Sequence, residues 1–224
     1  MMRLAPALAA LCLLSGLAQA QDGERLLGAG LRTRPAYDGA ERRNTDLVPV
    51  LRYYGSPWFA RTTQGILEGG ARVALAPGLA AGAQLAYEAG PLDGDAGASL
   101  GAHLEWDWKI FNLLGRFRRH LDGERGTQSD LRATMGVYGS HGVRAGVFAQ
   151  ATWANAQHTQ AYYGVRESGL LFTGLGVLGS IEISRRWLGV ASLEARRLDA
   201  AVARSAFVER RSGTYASAGL AYRF

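Results

Sequence analysis

The sequence predicts an all-β protein, a transmembrane antiparallel up-and-down β-barrel of about 12 strands with both termini on the short-turn, periplasmic side. Three observations predict it. Segments of roughly ten residues sort into one apolar face and one small or polar face with a period of two, which a helix would scatter around its axis. Tight turns alternate with long polar loops between these segments, as they do in outer-membrane barrels. The chain also begins with an export signal and ends on an alternating strand, in which Ala216, Ala218, Leu220, Tyr222 and Phe224 share one face.

The export signal is expected over residues 1–20. Met1-Met2-Arg3 is followed by an apolar run from Leu4 to Leu17 and by Ala18-Gln19-Ala20, a basic start, short apolar core and Ala-x-Ala end. The run is too short and wrongly flanked to remain as a spanning helix. Cleavage after Ala20 would leave a single domain, the barrel, over residues 21–224. Cys12 is the sole cysteine and lies inside the signal. It follows Leu11, where a lipid-anchor signal wants a small residue, so no anchor, disulfide or thiolate chemistry is expected. The formal net charge of +6 is carried by arginine, with Lys109 the sole lysine. An exported chain rarely meets nucleic acid, so these arginines fit a barrel interior or lipid phosphates instead.

Taken in order, the strands are expected at 25–34, 46–55, 57–63, 65–75, 78–88, 98–108, 110–119, 128–139, 142–153, 171–184, 187–198 and 213–224. Gly28-Ala29-Gly30 lies in the first and Gly174-Leu175-Gly176 in the tenth; neither precedes a helix, so neither is a phosphate loop. Gly55-Ser56-Pro57 makes a tight turn, and the Gln64 region is short on the side that should be long. After Ala76-Pro77-Gly78, the fifth strand sets Leu79, Ala81, Ala83, Leu85 and Tyr87 against Gly82, Gln84 and Glu88. The sixth is the clearest: Leu100, Ala102, Leu104, Trp106 and Trp108 oppose Ser99, Gly101, His103, Glu105 and Asp107. Lys109 turns into the seventh. Leu131, Ala133, Met135 and Val137 repeat the pattern in the eighth, and Val143 through Trp153 in the ninth, either side of Ser140-His141-Gly142. Arg185-Arg186 is the last tight turn. The long connections fall at 35–45, 89–97, 120–127, 154–170 and 199–212.

Aromatic residues gather at strand ends. Trp58, Trp106, Trp108, Phe111, Trp187, Tyr222 and Phe224 lie beside short turns or the C-terminus; Tyr87, Phe117, Trp153 and Phe172 lie beside long loops. Two such bands are the girdles of a membrane barrel. Closure is expected because an open sheet edge finds no backbone partner in hydrocarbon.

By the same parity, Arg32, Arg72, Arg116, Arg118, Arg132, Arg144, Arg196 and Arg223 point inward. Glu68, Glu88, Glu105, Asp107, Asp130, Glu182 and Glu194 point inward with them. Opposed charges in a lumen should pair, which leaves two readings open, a structural ion-pair network and a selective pore or ligand cavity. No catalytic, cofactor-binding or metal-binding residue is identified. His103, His120, His141 and His158 lack metal-ligand spacing and are read as solvated. With no Gly-x-Ser-x-Gly elbow and no lipid-facing Ser/His pair, an enzyme is not expected.

Four segments, spread over the mature chain, resemble the MipA/OmpV family of outer-membrane proteins. They are Pro35-Ala36-Tyr37-Asp38-Gly39 after the first strand, Asp46-Leu47-Val48-Pro49-Val50 with Tyr53, Tyr162-Tyr163-Gly164-Val165 in the longest loop, and Gly219-Leu220-Ala221-Tyr222-Arg223-Phe224 at the end. Ser205-Ala206 departs from the Ser-Pro frequent in the family, so that loop is expected to differ in shape. The resemblance implies a non-enzymatic barrel in outer-membrane lipid, assembled by the barrel assembly machinery. It further implies a scaffold between a lytic transglycosylase and a murein synthase; other members are described as porin-like or adhesin-like. The alternative function is a channel with a charged, arginine-rich lumen.

Overall fold

The computed structural model describes residues 25–63, 65–88 and 96–224. The segment expected to be an export signal, with Cys12, together with Gln64 and most of the 89–97 loop, lies outside the described residues. Twelve strands are described: β1 (Leu26–Pro35), β2 (Arg43–Tyr54), β3 (Trp58–Thr63), β4 (Ile66–Ala76), β5 (Leu79–Glu88), β6 (Gly97–Trp108), β7 (Phe111–His120), β8 (Thr127–Ser140), β9 (Val143–Ala154), β10 (Gly169–Glu182), β11 (Trp187–Leu198) and β12 (Ser212–Arg223). Each pairs antiparallel with its sequence neighbours, and β1 pairs with β12, so the sheet closes on itself. This is the expected barrel, and it leaves no terminal strand edge facing lipid.

The tight connections follow from local chemistry. His141 and Gly142 between β8 and β9 both have positive φ, 50° and 74°, as required of the mirror-image turn that matches the twist of a two-residue hairpin. Pro77-Gly78 joins β4 to β5, with Gly78 at φ 75°; proline presets the first turn position and glycine accepts the second.

The alternation places apolar residues outside. Leu104 is 50% exposed, whereas its neighbour Glu105 is 4% exposed. Trp106, Trp108 and Phe111 stack at 6.3 and 6.0 Å, and Trp187 meets Tyr222 edge-on at 5.4 Å, forming the girdle beside the short turns. Phe172 does not join the opposite girdle. A register shift between Leu170 and Phe172 reverses the parity of β10 there, and Phe172 turns inward, 4% exposed. A second shift, between Gly136 and Tyr138, leaves Val137 and Tyr138 both outward. Bulges of this kind place two residues opposite one, so alternation does not carry across them.

The 154–170 loop contains a helix, α1 (Ala156–Tyr163). Asn155 caps it by accepting from the His158 backbone N–H at 2.9 Å, and Gly164 ends it in the left-handed conformation, φ 68°. Over this end of the barrel Tyr163, Leu171, Phe172, Leu198 and Val202 form a buried apolar cluster against which Val165 and Val208 pack.

Candidate functional site

The lumen divides into a closed half beneath the long loops and an open half toward the short turns. Closure begins with ion pairs between neighbouring strands, together with three that bridge non-adjacent strands. Arg61 of β3 donates from Nε to Glu68 Oε2 at 2.8 Å and from Nη1 to Glu105 Oε2 on β6 at 3.4 Å. Arg116 Nη1 on β7 donates to Glu68 Oε1 at 2.7 Å. Arg118 donates to Glu88 on β5 and to Asp130 on β8, each at 2.9 Å. Thr152 Oγ1 and Gln84 Nε2 fill remaining carboxylate positions on Asp130 and Glu68 at 2.8 and 3.3 Å. Glu68, Arg118 and Thr152 are each 1% exposed. Charges this deeply buried are tolerable only because each faces opposite charge and hydrogen-bond donors.

The far side of the lumen is closed by β9, β11 and the loops. Gln150 and Arg196 both donate to Glu194 Oε1, at 2.8 and 2.6 Å. Arg196 lies 3.6 Å from Asp38 in the first long loop, and its guanidinium sits between the Phe172 and Tyr215 rings at 4.7 and 4.0 Å. Tyr215 Oη donates to Asp38. Gly39 O accepts from the Glu209 and Arg210 backbone N–H groups, each at 2.9 Å, and Ser205 Oγ donates to Tyr163 O. The loops following β1, β9 and β11 are thus tied to one another as a lid. Gly39 and Tyr163 are buried and Asp38 and Val165 half-buried, and all four belong to segments that carried the family resemblance.

Parity correctly placed Glu68, Glu105, Arg116, Arg118, Asp130 and Glu194 inside. It missed Arg61, which counting inward from the exposed Trp58 would have found. The reading of the histidines as solvated is corrected for three of them. His103, His120 and His158 are 5%, 2% and 3% exposed; His141 alone stays in an exposed turn. His103 faces inward and meets the Phe59 ring edge-on at 5.0 Å. His158 turns inward on α1, stacks on Tyr162 at 4.2 Å and on His120 at 5.8 Å, and Nδ1 donates to Arg125 O at 3.1 Å. Burial holds the His158 imidazole down to about 4 from its ordinary 6.5, with His120 acting in the same direction. Among the described residues no group of three or more histidine, cysteine or acidic side chains could hold a metal ion.

Below the ion-pair lattice lies a cavity of about 460 Å³. Its lining runs from Arg32 and Gly65 near the β3–β4 connection, through mid-barrel Arg61, Arg132 and Glu194, to Asp107, Arg144 and Leu188 beside the short turns. Five arginines and three carboxylates line it alongside aliphatic side chains. The site therefore offers a polar-apolar cavity beneath a lid of tied loops, and among the described residues that line the cavity no nucleophile is hydrogen-bonded to a histidine.

The sequence model of one family, described as MltA-interacting protein MipA, matches residues 27–224. No curated protein matches the chain. Among solved structures, the NanC porin is similar with a TM-score of 0.54 and 12% identity, covering 89% of this chain and 100% of that one. A bacterial polysaccharide outer membrane secretin is similar with a TM-score of 0.51 and 12% identity, covering 89% and 98%. At such identities these likenesses concern the fold, a barrel of the outer-membrane type.

Proposed function

The chain belongs to the MltA-interacting protein MipA family, and from that premise we propose that it is a non-enzymatic outer-membrane barrel that holds a murein-processing enzyme at the membrane. The partner class that the family description supports is a lytic transglycosylase; a murein synthase on the same scaffold is the further step that the resemblance implies. The observation that carries the reading is the closed lumen, since a barrel sealed by buried ion pairs and a tied lid is built to persist as a body. The short turns and both chain ends face the periplasm in this reading.

The surface for docking is the short-turn rim. Arg25, Lys109, Arg185 and Arg186 are exposed there, so the rim is basic and suits an acidic face on the partner. It is also small. A stable interface buries on the order of 800 Å² per partner, and turns of two to four residues supply less, so the complex should be weak and salt-sensitive. The test is capture of a purified lytic transglycosylase by the folded barrel in detergent. Capture at low salt should fall by about tenfold or more in an Arg185→Glu/Arg186→Glu variant. Absence of capture at any salt would remove the partner reading.

A second reading, a channel with an arginine-rich lumen, is favoured by the cavity alone. It requires the lattice and lid to open, and bilayer conductance separates the two.

A further inference from the structure

Among the described residues, the cavity lining includes both faces of β2. β1 and β2 share ten residue pairs, whereas β2 and β3 share three, Arg52↔Arg61, Tyr53↔Ala60 and Tyr54↔Phe59. Among the described residues, 43–51 of β2 therefore pair with β1 and with nothing on the β3 side. The Gly55 N–H donates to Trp58 O at 2.8 Å, so the backbone groups of 55, 53, 51 and 49 point toward β3. Pro49 thus removes a donor from the very edge that is left open. On the outer face Leu47 of β2 is 76% exposed, and across the seam Leu67 of β4, 39% exposed, stands behind Thr62 of β3. Outward-facing Pro49 and Leu51 line the same cavity as inward-facing Val48 and Val50, with Thr62 and Thr63 opposite. Thr62 buries a hydroxyl that has no partner among the described residues. At the top of the seam Arg32 bridges from Asp46, at 3.1 Å, to Gly65, where an added Cβ would lie 1.5 Å from the guanidinium.

Among the described lining residues, Arg132 is a cation without a direct hydrogen bond, although Glu194 acts on it electrostatically. Arg132 stacks on the Phe148 ring at 3.8 Å and lines the cavity. Among the described residues it has no hydrogen-bond or ion-pair partner. The lining carboxylates are engaged elsewhere: Glu105 by Arg61 and Asn112, Glu194 by Arg196 and Gln150, Asp107 by Asn112. The lining of β1, β2, β10 and β11 includes Leu26, Val50, Leu178, Leu188 and Val190, an aliphatic strip interrupted by Ser180, Ser192 and Ser217 of β12, where a water-filled lumen would be more uniformly polar.

We propose that this cavity binds a single-chain amphiphile with a carboxylate head, which reaches it from the bilayer through the β2–β3 seam. The head sits on Arg132, which gains the direct ion-pair partner that the fold withholds. The chain lies along the aliphatic wall and passes between Val48 and Thr62 toward lipid. The volume of about 460 Å³ falls within the ~300–1,000 Å³ usual for small-molecule sites. This site does not depend on enzyme docking at the rim, and either can fail without the other.

The test uses radiolabelled dodecanoate and the folded barrel in a neutral detergent. Saturable binding is expected that dodecanol, with the same chain and no charge, does not displace. Arg132→Gln should weaken binding by about tenfold to a hundredfold, the value of a hydrogen bond to a charged group, while keeping the heat-modifiable mobility of a folded barrel. A disulfide between Leu51→Cys and Thr62→Cys, the pair next in register, should block uptake of dodecanoate preloaded in liposomes, and reduction should restore it. No saturable binding to the unaltered barrel overturns the site. Equal displacement by dodecanol overturns the role of Arg132 even if Arg132→Gln fails to fold. Undiminished uptake from liposomes by the oxidised barrel overturns the seam as the route.

Discussion

At the scale of single residues, neighbours in sequence live in different solvents. Leu104 faces hydrocarbon and Glu105 the lattice, so Leu104→Arg should cost about 2–4 kcal/mol if it lies near the midplane. Glu68 holds both Arg61 and Arg116; Glu68→Gln should cost about 3–5 kcal/mol, because it strands buried guanidinium groups. Glu105→Gln should cost less, about 1–3 kcal/mol, since Arg61 keeps its bond to Glu68. Urea unfolding in liposomes should give the order Glu68 above Glu105; the reverse order would move the centre of the lattice. Parity made the faces of these residues legible. It could not reveal partners, because a face says nothing of height along the barrel. Glu105 meets Arg61, 44 residues away in sequence and three strands away around the barrel.

At the scale of elements, the strands were legible because lipid on one side and a polar lumen on the other impose a period of two. All twelve lie within three residues of their expected bounds. Bulges and α1 were not legible. A bulge is one residue of slippage against a partner strand, which a single segment does not encode, and α1 is short and lacks an amphipathic stripe. Its caps were present in the sequence as Asn155 and Gly164 but lay in a loop read as irregular. Gly164 has φ 68° and an added Cβ would lie 2.6 Å from the Phe207 ring. Gly164→Ala should therefore loosen the lid by about 1–2 kcal/mol, seen as faster tryptic cleavage after Arg166 in the folded barrel. Acid should loosen the same helix. His158 is packed against His120, Tyr162 and the Arg125 carbonyl, with Arg118 and Asp130 acting from the strands. An imidazole held at about 4 when folded and 6.5 when exposed takes up its proton first in the opened state. The stability it confers is complete above pH 6.5 and declines between there and pH 4, by about 3 kcal/mol in all. Amide exchange of α1, corrected for intrinsic rates, should show protection falling across that window; protection constant from pH 7 to pH 4 would contradict it.

At the scale of the whole molecule, the family match and the closed barrel agree on a body fixed in a membrane, and the lumen decides what that body does. Both readings drawn from the inward charges find part of their support in one interior. The ion-pair network lies beneath the long loops, and the cavity extends from its edge at Arg61 and Glu105, along β2, to the short turns. The sequence pattern could not apportion them, because the closure depends on loops after β1, β9 and β11 meeting over the mouth. Reconstituted in a planar bilayer at neutral pH, the purified barrel should give no steady single-channel conductance, while a variant lacking the lid residues of the 155–168 and 199–211 loops and carrying Arg118→Ser should leak. Stable, ion-selective conductance from the unaltered barrel would contradict the closed lumen and put the channel in place of the scaffold.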